Sequence, residues 1–278
     1  MNLIKPLKNN WDQNNRYNPV IMGILNATPD SFFDGGAIDG QGGLIHRIEQ
    51  MIMEGADIID VGAESTRPGA APVSFEEEIQ RLQPVLNYVK NSSVSFSIDT
   101  YKPEVAQIAL DHGFSMINDI TGGGKDGKML ALAADYKVPI VIMHMLGEPR
   151  TMQSDPSYSN VMASLISFFK DRIELAKSLG VKDEQIILDP GIGFGKRIQD
   201  NDRIIRELEV LSILDFPILL GASRKSFLSI DEDGPADRLA ASISILTLAV
   251  ERGVQMLRVH DVMQSKKCAK LLARIFNK

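Results

Sequence analysis

A chain of 278 residues, 44% hydrophobic and 24% charged, has the composition of an ordinary folded protein with one large α/β domain or two small ones. Its formal net charge of −6, with no Lys/Arg stripe, argues against nucleic acid as a partner, and no apolar run approaches the roughly 20 residues of a membrane span. A single cysteine, Cys268, excludes an internal disulfide and a cysteine-cluster metal site, and makes the cytoplasm the expected compartment.

Residues 1–18 carry lysines but no apolar core and no small-residue cleavage site, so they read as a solvated N-terminal extension rather than a signal peptide. From there, short apolar or β-branched runs recur at 19–25, 57–62, 95–99, 115–119, 139–144, 185–189, 217–221 and 255–260. They are near-continuously apolar rather than alternating, as expected of parallel strands buried on both faces, with polar groups reserved for their ends. Between them lie segments of helical period. Val161, Leu165, Phe168, Leu175 and Leu179 share one face, as do Leu239, Ile243, Leu246 and Val250. Cys268, Leu271, Leu272 and Ile275 share another, which makes Cys268 a small core hydrophobe. Ser74 followed by Glu76–Glu78 reads as a solvated helix start.

Eight strands, each followed by a helix, predict a (β/α)8 TIM barrel in one domain; a doubly wound sheet is the competing arrangement. In a barrel the chemistry sits at the C-terminal strand ends. Those positions hold Asn26, the stretch "GAESTRPGA" (62–70), Asp99, Asn118 and Asp119, His144, Asp189, "SRK" (223–225) and "RVHD" (258–261).

The residue types divide into two halves. Asp99, Asn118, Asp189 and Lys225 suit a flat heterocycle, whose ring N–H and amine groups donate to carboxylates while lysine donates to a ring carbonyl or nitrogen. Arg67, Arg258, His260 and the hydroxyls of Ser65 and Thr66 suit a phosphate or diphosphate. Asn26 offers a neutral oxygen that, with diphosphate oxygens and water, suits Mg²⁺. No convincing nucleophile is present, which favours displacement of a diphosphate by an external nucleophile.

Several motifs are decoys. "GGGKDGKM" (122–129) has the P-loop glycines and lysine, but Met129 stands where Ser or Thr must hold Mg²⁺. "GIGFGK" (191–196) places Lys196 where a dinucleotide fingerprint needs its last glycine. It offers Phe194 on a flexible loop, either as a ligand contact or as a hydrophobic plug. His46 and His112 lack metal-ligand spacing and read as surface or capping residues, and His144 reads as a core histidine before a catalytic one.

The blocks "GILNATPDSFFDGG", "DVGAESTRPGA", "SIDT", "INDITGG", "GEPRTMQ", "DPGIGFGK", "GASRKSF" and "LRVHDV" together resemble the dihydropteroate synthases, in family order from about residue 20 to about residue 262. Ala27 and Phe33 depart from the commoner valine and serine. The resemblance implies a pterin-binding barrel over 19–278 that joins 6-hydroxymethyl-7,8-dihydropterin diphosphate to p-aminobenzoate. It implies Asp99, Asn118, Asp189, Lys225 and Arg258 at the pterin, and Asn26, Thr66, Arg67, Arg258 and His260 at the diphosphate with Mg²⁺ beside Asn26. It also implies Thr66, Pro68, Phe194, Lys225 and Ser226 at p-aminobenzoate. The expected catalytic set is Lys225, Arg67, Arg258 and His260. Asp30, Phe32 and Phe33 are expected on a loop that closes over the diphosphate, and a homodimer through the late helices is a family expectation. A pterin-binding methyltransferase domain and a non-catalytic pterin binder are the rival readings.

Overall fold

The computed structural model describes residues 17–28, 41–65, 70–124, 126–147, 151–230, 234 and 237–276. Eight strands run in the order expected: β1 (Val20–Asn26), β2 (Ile58–Gly62), β3 (Ser95–Asp99), β4 (Met116–Asp119), β5 (Ile140–Met143), β6 (Ile186–Asp189), β7 (Leu219–Leu220) and β8 (Met256–Val259). All neighbours pair in parallel, β1 sits between β2 and β8, and a bridge from Leu188 to Ile218 joins β6 to β7. The sheet is thus a closed barrel, not a doubly wound sheet.

Helices alternate with the strands: α1 (Gln41–Glu54), α2 (Phe75–Val89), α3 (Pro103–Asp111), α4 (Lys128–Tyr136), α5 (Val161–Ser178), α6 (Ile198–Arg206), α7 (Leu239–Glu251) and α8 (Val262–Phe276). No described helix is long and apolar enough to cross a membrane. Ser74 caps α2 by accepting from Glu77 N at 3.2 Å. At the other end of the chain, the Tyr17 ring stacks on Phe276 with centroids 4.6 Å apart.

One face of each strand packs against the helices, and the other fills the barrel. Val20, Met22, Ile58, Met116, Val141, Ile187, Leu219 and Met256 form a separate buried cluster, the apolar floor of the barrel. Side chains alternate along a strand, so the next inward positions are Ile24, Asp60, Asn118, Met143, Asp189 and Arg258, with Ser97 and Asp99 on β3. An apolar floor under a largely polar upper layer fixes where a ligand can be received.

Several expectations need correction. Polar residues are not confined to strand ends: Asp60 and Ser97 lie within β2 and β3 and are fully buried. Glu78 is not part of a solvated cap. It is fully buried and paired with Lys102 Nζ at 2.6 Å, because α2 presses its first turn onto the start of α3. On α5 the fully buried aromatic is Phe169, with Phe168 packed beside it, and Leu179 lies past the helix end, substantially exposed. On α8, Leu272 is buried but Leu271 and Ile275 are 45% and 56% exposed, since they sit on the side turned from the barrel. Cys268 is half-buried, packed against the core rather than within it, with Sγ 3.4 Å from Thr247 Oγ1.

Candidate active site

The top of the barrel gathers the described members of the expected set. Arg258, rising from β8, donates through Nε to Asp60 Oδ2 and through Nη2 to Asp99 Oδ2, both at 2.6 Å. Asp60 Oδ2 also accepts from Asn118 Nδ2 at 2.9 Å, so one guanidinium, two carboxylates and one amide form a connected buried network. Asp60 Oδ1 and Asp99 Oδ1 are buried without a hydrogen-bond partner among the described residues.

The electrostatics follow from this crowding. Burial pushes the Asp99 carboxyl up to about 7, against the pull of Arg258 and with reinforcement from Asp60. Burial alone would lower Arg258, but Asp60 and Asp99 outweigh it and hold the guanidinium charged. Asp189 is raised by burial, opposed by Lys225, and Lys225 is brought down to about 8 by burial, opposed by Asp189.

Lys225 follows β7. Its Nζ donates to Ile192 O and lies 4.4 Å from the centroid of Phe194, which is half-buried on the loop after β6. Ser226 is exposed at the start of a short 3-10 turn, Ser226–Leu228. His260 is held from behind: Ser223 Oγ lies 3.1 Å from its Nδ1 and accepts its backbone N–H at 3.2 Å, while Arg47 reaches its carbonyl. Asn26 ends β1, half-buried, in register with Gly62. Arg224 turns away from this group onto Asp261, with a bidentate pair at 2.9 and 2.5 Å.

The expected residues Asp30, Phe32, Phe33, Thr66, Arg67 and Pro68 lie outside the described residues. What flanks residues 66–69 is anchored by Lys102, whose Nζ binds Glu64 Oε2 at 2.5 Å on one side and Val73 O at 2.7 Å on the other.

Two residues were missed by sequence reasoning. Asp60 sits inside a run read as apolar; its signal was the spacing of two from Ile58 and from Gly62, which gives it inward parity. Lys196 was read only as a broken fingerprint, yet it is almost fully buried beside His144, with Nζ 3.0 Å from Nδ1. Burial and then the Lys196 charge lower His144 to about 3, so this histidine is neutral and structural. The glycine-rich decoy is likewise structural. Gly123 N–H donates to Asp119 Oδ2 at 2.8 Å and Gly124 N–H to Thr121 Oγ1 at 3.0 Å, which leaves those amides engaged within the turn.

Comparison with known proteins agrees with the barrel fold. The family model described as pterin binding enzyme matches residues 22–260. The chain is 43% identical over 245 residues to the dihydropteroate synthase of Synechocystis, covering 87% of this chain and 85% of that protein. The crystal structure of the Yersinia pestis dihydropteroate synthase with a sulfonamide drug complex aligns with a TM-score of 0.89 at 36% identity, over 95% of this chain and 96% of that one. That of Xanthomonas albilineans in complex with 7,8-dihydropteroate aligns at 0.82 and 35% identity, over 92% and 93%. The chain belongs to the pterin binding enzyme family, among the dihydropteroate synthases.

Proposed function

We propose that the network of Arg258, Asp60, Asp99 and Asn118 is the floor of a dihydropterin site, and that the chain transfers the pterin-methyl group from diphosphate to p-aminobenzoate, giving 7,8-dihydropteroate. The observation that carries this reading is the pair of buried carboxylate oxygens on Asp60 and Asp99 that have no partner among the described residues. Buried acceptors of this kind demand donors, and a pterin edge supplies ring N–H and amine groups.

In this reading Asp99, Asn118 and Asp189 accept from or bridge to the pterin, and Lys225 donates to its carbonyl or ring nitrogen. Arg258 lies flat against the ring, and its charge, with His260, Asn26, Thr66 and Arg67, faces the diphosphate. Phe194, Lys225, Ser226, Thr66 and Pro68 receive p-aminobenzoate. Loss of diphosphate leaves a cation on the methylene carbon, conjugated into the dihydropterin, so these side chains have to orient the amine and exclude water. An aromatic amine is a free base at neutral pH, and no proton need be removed before it attacks. That accords with His144 and Lys196 being turned to structural use.

No three of His, Cys, Asp and Glu cluster to hold a metal ion among the described residues, and Asn26 offers one neutral oxygen. The donor set suits Mg²⁺ that arrives on the diphosphate and is steadied by Asn26, where it would offset the leaving-group charge. Under this proposal the enzyme is cytoplasmic and pairs with a second copy through the exposed Leu248, Leu271 and Ile275 of α7 and α8.

The test is diphosphate release from the dihydropterin diphosphate with Mg²⁺, with and without p-aminobenzoate. Amine-dependent release with formation of dihydropteroate is the expected result. Tight pterin binding without turnover would overturn it and favour the non-catalytic binder.

A further inference from the structure

The loop after β6, Gly191–Gly195, has no helix or strand, yet each of its five carbonyls accepts from a side chain. Lys196 Nζ donates to Gly191 O at 2.9 Å and Phe194 O at 3.1 Å. Lys225 donates to Ile192 O, Gln153 Nε2 to Gly193 O at 2.6 Å, and the Tyr158 hydroxyl to Gly195 O at 2.8 Å. Such complete satisfaction in an irregular segment marks it as built to hold one shape.

Lys196 also reaches across to the end of β5, with Nζ 3.2 Å from His144 O and 3.0 Å from His144 Nδ1. Four acceptors surround the amine of a lysine that is only 3% exposed, and burial brings that amine down to about 7. The two loops are pressed together: a Cβ on Gly191 would stand 2.0 Å from His144 O, and one on Gly195 would stand 2.4 Å from Leu146 O. A side chain this long, buried this deeply and bonded only to loop backbone and one histidine ring, is an unusual expense of desolvation unless the shape of the loop matters.

We propose that Lys196 is a positioning residue for the aminobenzoate half of the site. It welds the β5 and β6 loops together and so holds Phe194 and Ile192 O against the Lys225 ammonium. This rests on the reading that Phe194 and Lys225 receive p-aminobenzoate. Asp189 is placed by β6, which pairs with β5 up to this residue, although its Oδ1 also accepts from Gly191 N at 2.7 Å. The rest of the pterin half, Arg258 with Asp60, Asp99 and Asn118, shares no hydrogen bond with Lys196, so it stays in place when the cradle is lost.

The experiment is steady-state kinetics on Lys196→Met with both substrates varied, beside calorimetric binding of a pterin lacking the diphosphate. The expected result is a KM for p-aminobenzoate raised about tenfold or more, with pterin affinity close to that of the unmodified enzyme. Hydrogen exchange should quicken at the Phe194 amide, which bonds Gly191 O at 3.1 Å. Equal weakening toward both ligands, or no change toward either, would overturn the proposal. If Lys196→Met does not fold, Tyr158→Phe and Gln153→Ala remove two of the other loop donors from more accessible positions. The same selective rise in KM supports the proposal there, and its absence in both overturns it. Failure of the parent reading would show separately, as absence of dihydropteroate formation by the unmodified enzyme.

Discussion

Arg258 and Asp60 are 198 residues apart in sequence and 2.6 Å apart across the barrel. The pair joins β8 to β2 above the apolar floor, with the Asp60 side chain fully buried and Arg258 only 19% exposed. Desolvating both charges is costly, and the contact is supported by Asn118, which also donates to Asp60 Oδ2, and by Asp99, which accepts from the second guanidinium nitrogen, while one oxygen of each carboxylate stays without a partner among the described residues. It is therefore a device for presenting a planar cation in a fixed orientation more than a source of net stability.

The first consequence concerns Asp60→Asn. The amide keeps the shape but removes the charge that most strongly offsets the burial of Arg258. Breaking one side of a buried pair costs about 3–5 kcal/mol, and the lower end is expected here because Asp99 remains. Urea denaturation should show a lower midpoint with an unchanged slope, and calorimetry should show weakened pterin binding. An unchanged midpoint would mean that the guanidinium has another support.

Asp99 gives a pH dependence with a definite sign. Its carboxyl titrates near 7 in the folded chain and near 3.8 when unfolded. Between those values the folded state holds a proton that the unfolded state has released, so stability falls as pH rises through the window. Asp99→Asn should flatten this part of the profile. A slope that survives the substitution would assign the effect to another group.

Lys225→Ala removes a half-buried ammonium aimed between Asp189, Ile192 O and the Phe194 ring. Pterin affinity should fall by more than about tenfold, or about 1.4 kcal/mol. Titration calorimetry with a pterin lacking diphosphate reads this directly, and undiminished affinity would remove Lys225 from the pterin half.

Most of the barrel was legible because its strands are buried on both faces, which writes a continuous apolar run into the sequence. Runs such as 185–189 differ from the observed strand by a single residue. β7 is shorter than its run because its ladder extends over Leu219–Leu220 alone, with Ile218 only bridging to Leu188. The polar strand ends were legible for the opposite reason, as interruptions that an apolar core has no use for. Asp60, Glu78 and Lys196 were hidden because each is a charge placed where its neighbours in sequence predict either a core or a solvated turn. What satisfies them comes from far along the chain: Arg258 for Asp60, Lys102 for Glu78, and the carbonyls of the β5 and β6 loops for Lys196. Partners brought together only by barrel closure leave no local pattern. The exposed leucine and isoleucine of α8 misled for a related reason, since helical period identifies an apolar stripe without saying what covers it.

Gly191 and Gly253 allow backbone strain to be separated from collision. Both have positive φ, +66° and +87°, so alanine at either position incurs the left-handed penalty of about 1–2 kcal/mol. A Cβ at Gly253 has nothing within 4 Å, whereas one at Gly191 meets His144 O at 2.0 Å, and that oxygen is backbone tied into the Lys196 cradle. Gly253→Ala is therefore expected to lose about that penalty and no more, with catalysis intact. Gly191→Ala must also force the β5 and β6 loops apart, so its stability loss should exceed that of Gly253→Ala and its turnover should fall. Comparing the two by urea denaturation and dihydropteroate formation isolates the close approach of the loops. Equal losses with equal activity would show that the two loops can separate freely.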